Sequence, residues 1–283
     1  MQRILVTYAD SNFEKAAERL IEEAKRTDFF QQYYSYKKSD LAESVLQSSL
    51  LRCEKGGGYW SWKPSLILKT FEQLSLGDIV VYVDAGCQLY KQNEWNKFFK
   101  ILQTYDSIFF NLYSPLKKWV KIETLDYFRH EKLFDEKWKD EFMFAGGVFI
   151  IKKTDLNIRL MQKWHSIMFT HPELVIDINP TERDRELPCF IEHRHDQSIL
   201  TLLIYNYMDD FKIKALWENF ENPSPFGQAI FAARNENFKE IEIKPINKIS
   251  YIYWHNLRLP IIYFVRSVKN KLRSLLTFFF KRK

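Results

Sequence analysis

The chain has 283 residues, 46% of them hydrophobic and 17% aromatic, with only 8 Gly and 9 Pro, which excludes a disordered or low-complexity protein and suits one large α/β domain. Its net charge of +6 is concentrated in residues 266–283, where Arg266, Lys269, Lys271, Arg273, Lys281, Arg282 and Lys283 stand without an acid. Without those seven, 35 basic residues face 36 acidic ones, so the charge argues against a nucleic-acid partner.

In chain order, Arg3 to Tyr8 reads as a buried strand, and Phe13, Ala16, Ala17, Leu20, Ile21 and Ala24 follow at helical spacing. A short strand is expected near Phe30 to Tyr36 and a helix near Leu41 to Leu51. The run Gly56-Gly57-Gly58 then breaks the pattern and implies close backbone approach. Pro64 suits a first helical turn with Ser61 as N-cap, and Leu76-Gly77 ends that helix. Asp78 to Val83 is a β-branched run of the kind buried on both faces of a sheet, and it delivers Asp84 at its carboxyl end, the edge at which open α/β sheets bind ligands. Further strands are expected at Ser107 to Asn111 and Gly147 to Lys152, and helices at Glu94 to Thr104, Asp155 to Phe169 and Asp196 to Tyr205. Residues 113–143 and 171–194 read as long loops or small excursions. This alternation predicts an α/β fold: a single domain over residues 1–258 with a Rossmann-like, mixed but mostly parallel central sheet flanked by helices.

Cys53, Cys87 and Cys189 show no paired spacing, so neither a disulfide framework nor a zinc site is expected. The opening MQRILVTYAD has too short an apolar run for a signal-peptide core. No stretch reaches the ~18 consecutive apolar residues of a spanning helix. From Ile261 onward, Phe264, Val265, Val268, Leu272, Leu275, Leu276 and Phe279 form an apolar face among basic residues. Residues 259–283 therefore read as a basic amphipathic tail lying on an anionic membrane, or as a helix packed on the body with its basic side chains solvated. The first reading puts the protein in the cytoplasm, peripheral at the cytoplasmic face of the inner membrane.

Six motifs carry chemistry: TYADSNF (7–13), GGGYWSWKP (56–64), YVDAGC (82–87), FAGGVFI (144–150), HRHDQSIL (193–200) and YWHN (253–256). Asp84 is placed either to hold a divalent cation or to cap a turn around Gly86. Gly146 and Gly147 mark either a close approach to a ligand or a β-bulge. Asp196 suits both a catalytic acid and a helix N-cap. Trp60 and Trp62 are either stacking platforms or anchors of the helix that follows.

In their order and residue types these motifs resemble the GT-A glycosyltransferases, especially the group of glycogenin and the bacterial lipooligosaccharide galactosyltransferases. The resemblance spans residues 4 to about 256. It implies a hexosyltransferase, retaining if it follows the group, that takes a UDP-sugar or similar donor to a glycan or glycolipid acceptor such as lipopolysaccharide or capsule. It implies that Asp10 and Asn12 hold the nucleoside while Thr7, Tyr8 and Ala9 line the base pocket. Val83, Asp84, Ala85 and Gly86 stand where the family has its Asp-x-Asp element, of which only the first acid is present. Tyr59, Trp62 and Lys63 would close over the donor, with Lys63 on the diphosphate, and Gly146 and Gly147 would face the transferred sugar. Asp196 and Gln197 would be the catalytic pair, and Asp84 with His255 would hold Mn²⁺ or Mg²⁺. Two rivals follow from the same residues: a catalytically silent sugar-nucleotide or glycan-binding protein, and a basic nucleic-acid-binding protein that stacks bases on aromatics.

Overall fold

The structure is a computed structural model that describes residues 1–208, 210–217, 220–221, 224, 226–242 and 247–253. The chain divides into two compact units, Met1–Glu221 with Ala229–Ile241, and Asn222–Gln228 with Glu242–Lys283. The expected boundary between residues 258 and 259, and the tail beyond it, lie outside the described residues.

The larger unit is built on a six-stranded sheet. In chain order its elements are β1 (Arg3–Tyr8), α1 (Glu14–Thr27), β2 (Gln32–Tyr36), α2 (Glu43–Leu46), α3 (Gly56–Tyr59), α4 (Lys63–Glu72), β3 (Ile79–Val83), β4 (Gln88–Leu89), α5 (Glu94–Ile101), β5 (Ser107–Pro115), α6 (Ile122–His130), β6 (Phe142–Lys152), α7 (Asp155–Thr170), α8 (His195–Tyr207), β7 (Ile213–Trp217) and β8 (Ile230–Phe231). The order across the sheet is β2-β1-β3-β6-β5-β7. β6 runs antiparallel to both neighbours, β3 and β5, whereas every other pairing is parallel, so the expected mixed and mostly parallel sheet is present. β4 and β8 form a separate antiparallel pair.

Ile79, Val80, Val81, Tyr82 and Val83 are all fully buried, as the unbroken apolar run requires of a strand covered on both faces. Alternate residues feed two cores. Val80 and Tyr82 join Trp62, Leu66, Phe149, Trp164 and Leu200 on one face, while Val81 and Val83 join Leu20, Trp95, Phe98 and Phe110 on the other. Helices α4, α7 and α8 thus cover one side of the sheet, and α1 and α5 the other.

Four local expectations are corrected. The helix expected over 41–51 is broken into α2 and a 3₁₀ turn at Leu50–Arg52, which lets Leu41, Val45, Leu50 and Leu51 all reach the core across Ser48-Ser49, a pair that favours turns over helix interior. Ser61 is not an N-cap, because its Oγ donates backwards to the Gly58 carbonyl at 2.7 Å and Trp62 takes the cap position. Asp196 is not an N-cap either: Arg194 occupies that place and Asp196 lies inside the first turn of α8. The strand expected at Gly147 begins five residues earlier, at Phe142, and the expected bulge is real. Phe109 pairs with Phe149 but Asn111 pairs with Phe144, so the extra residues of β6 bow out around Gly146 and Gly147.

In the smaller unit, α9 (Lys248–Ile252) is capped by Asn247, whose side chain accepts from the Ile249 amide at 2.8 Å. No described helix is long and apolar enough to cross a membrane.

Candidate active site

The site grows from the carboxyl end of β3. Its last residue, Val83, is buried in the core, and Asp84 emerges just beyond, its amide donating to the Gly147 carbonyl at 2.8 Å. Tyr82 lies two residues back on the same face and donates its hydroxyl to Asp84 Oδ1 at 2.7 Å. The bulged β6 strand brings Gly147 so close that a Cβ there would meet Asp84 Oδ2 at 2.4 Å, and a Cβ on Gly146 would meet Gln197 Cβ at 3.0 Å. The two glycines are therefore what allow Asp84 and Gln197 to occupy their positions.

Lys63 joins the two ends of this mouth. Its ammonium donates to the Gly146 carbonyl at 3.0 Å, touches Asp196 Oδ2 at 3.1 Å and stands 3.6 Å from Asp84 Oδ1. The side chains of Lys63 and Asp196 are 4% and 3% exposed, against 38% for Asp84, so the buried pair forms the floor and Asp84 the part that meets solvent. Asp196 Oδ2 has no hydrogen bond of good geometry despite its contact with Lys63. Burial pushes the Asp196 carboxyl up to about 7, with Lys63 pulling against it and Asp84 adding to it. Burial pulls the Lys63 ammonium down, but Asp196 and Asp84 outweigh it and hold the group above its ordinary value. Around this floor, Gln197 Nε2 donates to the Phe144 carbonyl at 2.7 Å, and Trp164 Nε1 donates to the Asp196 carbonyl at 3.1 Å, fixing the start of α8.

The turn before Lys63 is unusual. Gly56, Gly57, Gly58, Tyr59 and Trp60 all have φ between +54° and +107°, a left-handed turn that needs its glycines. A Cβ on Gly56 would fall 2.4 Å from the Trp60 ring. Trp62 is buried, stacks on Tyr8 with centroids 3.8 Å apart and donates to the Gly56 carbonyl at 3.1 Å, so it ties the turn to the end of β1. Tyr8 itself is pushed up to about 12 by burial and by Asp10. Tyr59 donates its hydroxyl to Asp177 at 3.3 Å and packs on His195, whose own φ is +50°, one residue before Asp196.

At the neighbouring strand end, Thr7 and Ala9 are buried, and Asp10 Oδ1 accepts from the Asn12 amide at 3.0 Å, closing the turn into α1. Ala85 packs with Ala9, Ala16 and Ala17, which links the β1 and β3 ends. Gly86 lies under residue 234, with a Cβ position 3.3 Å from Arg234 Cα.

The structure thus brings Lys63, Asp84, Gly146, Gly147, Asp196 and Gln197 into one cluster, and Tyr8, Trp62 and the glycine turn into a second. His255 lies outside the described residues. Sequence reasoning missed Tyr82, Asp177 and, above all, Arg19 and Glu23, a buried pair beneath the Asp84 loop. Their signal was available: both fall on the buried face of α1 among Ala16, Leu20 and Thr27.

Among the described residues no three His, Cys, Asp or Glu side chains converge to hold a metal ion. Asp84 is the one described acid at the expected place; Tyr82 occupies its Oδ1 and an ammonium stands 3.6 Å from it. The described residues do not by themselves fit Mn²⁺ or Mg²⁺, which take about six oxygen or nitrogen ligands.

The fold and this cluster define an α/β protein with a candidate site at the carboxyl edge of its sheet. No protein-family model and no curated protein matches the chain by sequence. Among solved structures it is similar to galactosyltransferase LgtC in complex with donor and acceptor sugar analogs, at 14% identity and a TM-score of 0.38 over 78% of this chain and 75% of that one. It is also similar to mouse xyloside xylosyltransferase 1, at 14% identity and a TM-score of 0.42 over 76% of this chain and 85% of that one. A third likeness is to 4-diphosphocytidyl-2C-methyl-D-erythritol synthase from Anaerococcus prevotii, at 12% identity and a TM-score of 0.40 over 80% of this chain and 93% of that one.

Proposed function

We propose that the protein is a glycosyltransferase that moves a sugar from a nucleotide-diphosphate donor to a glycan or lipid-linked acceptor. The observation that carries this reading is the buried Lys63, which spans Asp84 and Asp196 at the carboxyl edge of the sheet, where Gly147 and Gly146 make room for Asp84 and Gln197. A carboxylate held in this way and 38% exposed suits sugar or ribose hydroxyls, for which it can only accept hydrogen bonds.

In this reading Asp10 and Asn12 hold the nucleoside beside Thr7, Tyr8 and Ala9. The left-handed turn at Gly56–Trp60, with Tyr59 and Trp62, walls the donor, and Val83, Asp84, Ala85 and Gly86 run along it. Asp196 and Gln197 flank the transferred sugar. If the anomeric configuration inverts, Asp196 takes the acceptor proton as general base; if it is retained, Asp196 balances charge on an oxocarbenium-like centre. Lys63 spends its contacts on Asp196, Asp84 and Gly146, so it sets the placement and charge of the two acids. No step is assigned to a metal ion.

The acceptor is placed at an anionic membrane surface by the basic residues 266–283, a role drawn from sequence alone. A silent sugar-nucleotide-binding protein is the second reading, favoured by the single described acid where a metal-binding pair is expected. A panel of nucleotide sugars, with and without Mn²⁺, separates them. The enzyme raises its melting temperature with one donor and slowly hydrolyses it, whereas a binder shows the shift without hydrolysis. No shift with any nucleotide sugar contradicts both.

A further inference from the structure

The Asp84 loop does not hold itself in place. From the buried face of α1, the Arg19 guanidinium reaches under it, and one nitrogen, Nη2, donates to the carbonyls of Ala85 at 3.0 Å, Cys87 at 3.0 Å and Asn235 at 3.2 Å. One turn along the helix, Glu23 lies 3.4 Å from Arg19 Nη1 and accepts from the Leu89 amide at 2.8 Å. Arg19 and Glu23 side chains are 2% and 1% exposed. The segment after β8 completes the clamp, with the Asn235 amide donating to the Gly86 carbonyl at 2.9 Å and the Asn235 side chain donating to Gln88 at 3.1 Å.

A charge pair sealed from water in this way is a poor device for stability, because desolvation offsets most of the Coulomb gain. Its geometry instead fixes the backbone on both sides of Gly86, whose missing side chain lets Arg234 pass close by. Two carbonyls drawn to one guanidinium nitrogen set the direction in which the chain leaves β3, and hence where the Asp84 side chain stands.

The geometry points to Arg19 as a positioning residue of the donor site: with Glu23 and Asn235 it holds the 84–89 loop in the conformation that presents Asp84 to the nucleotide diphosphate. This rests on the glycosyltransferase reading for the identity of the ligand and on the carbonyl contacts for the role. Arginine is needed because a planar guanidinium addresses three carbonyls and a carboxylate at once, whereas an ammonium has a shorter reach and no fork.

The test uses the full chain in four forms: wild type, Arg19→Lys, Arg19→Met and Glu23→Gln. Deuterium uptake of peptides spanning 84–90 is expected to rise at least tenfold in rate in Arg19→Met and by a smaller factor in Arg19→Lys, with β1 and β3 peptides at wild-type rates. Glu23→Gln keeps an acceptor for Leu89 but turns an amide NH2 toward Arg19, and uptake at 84–90 rises by less than in Arg19→Met. UDP titrated into the same preparations binds Arg19→Met at least tenfold more weakly than wild type. Should Arg19→Met not fold, Arg19→Lys decides by the same two readouts. Unchanged uptake at 84–90, or a rise shared equally by β1 and β3, makes Arg19 a plain structural ion and overturns the proposal. A wild type that binds no UDP removes UDP as the donor nucleotide and leaves uptake at 84–90 to judge Arg19 alone.

Discussion

Two buried charge clusters flank the same loop, and they are built for different ends. The Lys63–Asp196 floor opens upward onto Asp84, which is 38% exposed, and it leaves Asp196 Oδ2 without a well-aligned hydrogen bond. The Arg19–Glu23 pair is buried throughout, at 2% and 1% exposed, with its Nη2 taken by three carbonyls, Glu23 by a backbone amide, and only Arg19 Nε without a partner among the described residues. One cluster meets solvent through Asp84, whereas the other is spent on the backbone of the loop.

Breaking the open cluster at its exposed acid should harm chemistry out of proportion to stability, whereas breaking it at its buried cation should harm both. Asp84→Ala is expected to lower donor turnover at least about a hundredfold, the scale of losing one preorganised electrostatic contact, with an unchanged melting temperature; steady-state hydrolysis and a thermal scan check it. Lys63→Met leaves two acids without their cation and is expected to destabilise the fold by roughly 3–5 kcal/mol, read by urea denaturation, while Lys63→Arg recovers part of the loss. Gly147→Ala pushes a methyl into Asp84 Oδ2, 2.4 Å from the ideal Cβ, and should cost about tenfold in activity with little change in circular dichroism. If Gly147→Ala is as active as wild type, the placement of Asp84 beside the bulge does not matter to function.

Titration sharpens the contrast further. Burial raises both Asp196 and Glu23 to about 7, well above the range of exposed carboxylic acids. A raised folded-state value means that the folded protein holds its proton more tightly than the unfolded chain. Stability from this source is complete below about pH 4 and is lost as pH rises through 7. Glu23→Gln should flatten that decline by on the order of 3 kcal/mol between pH 4 and 8, measured by denaturation at a series of pH values. The smallest effect expected is on localisation: removing residues 264–283 should release the protein from anionic vesicles at physiological salt and leave hydrolysis of soluble donor unaltered.

Much of the sheet was legible because β1 and β3 are short apolar runs whose length and composition admit one reading, whereas the glycines at 146 and 147 hid the first half of β6, which was expected to begin at Gly147. Lys63, Asp84 and Asp196 were legible as separate residues in separate motifs. Their assembly was not, since it depends on α4 and α8 packing on the same face of the sheet through Trp62, Leu66 and Leu200. Arg19 was missed for another reason: its place on the buried face of α1 was readable, but within AERLIEEAKR it passes for one more solvated charge, and its purpose lies in the carbonyls of a loop 66 residues away. Asp196 as an N-cap failed because the helix begins one residue earlier, at His195, whose left-handed backbone no residue pattern announces.

The most direct measurement compares wild type with Asp196→Asn for binding and turnover of the donor found in the nucleotide-sugar panel. The amide keeps the shape of the side chain beside Lys63 but removes its charge. The expected result is turnover at least about a hundredfold lower with donor affinity within about threefold of wild type, as for a group that acts on the reacting centre and not on the nucleotide. Equal turnover in the two proteins would contradict the account, leaving Asp196 as no more than the buried partner of a lysine.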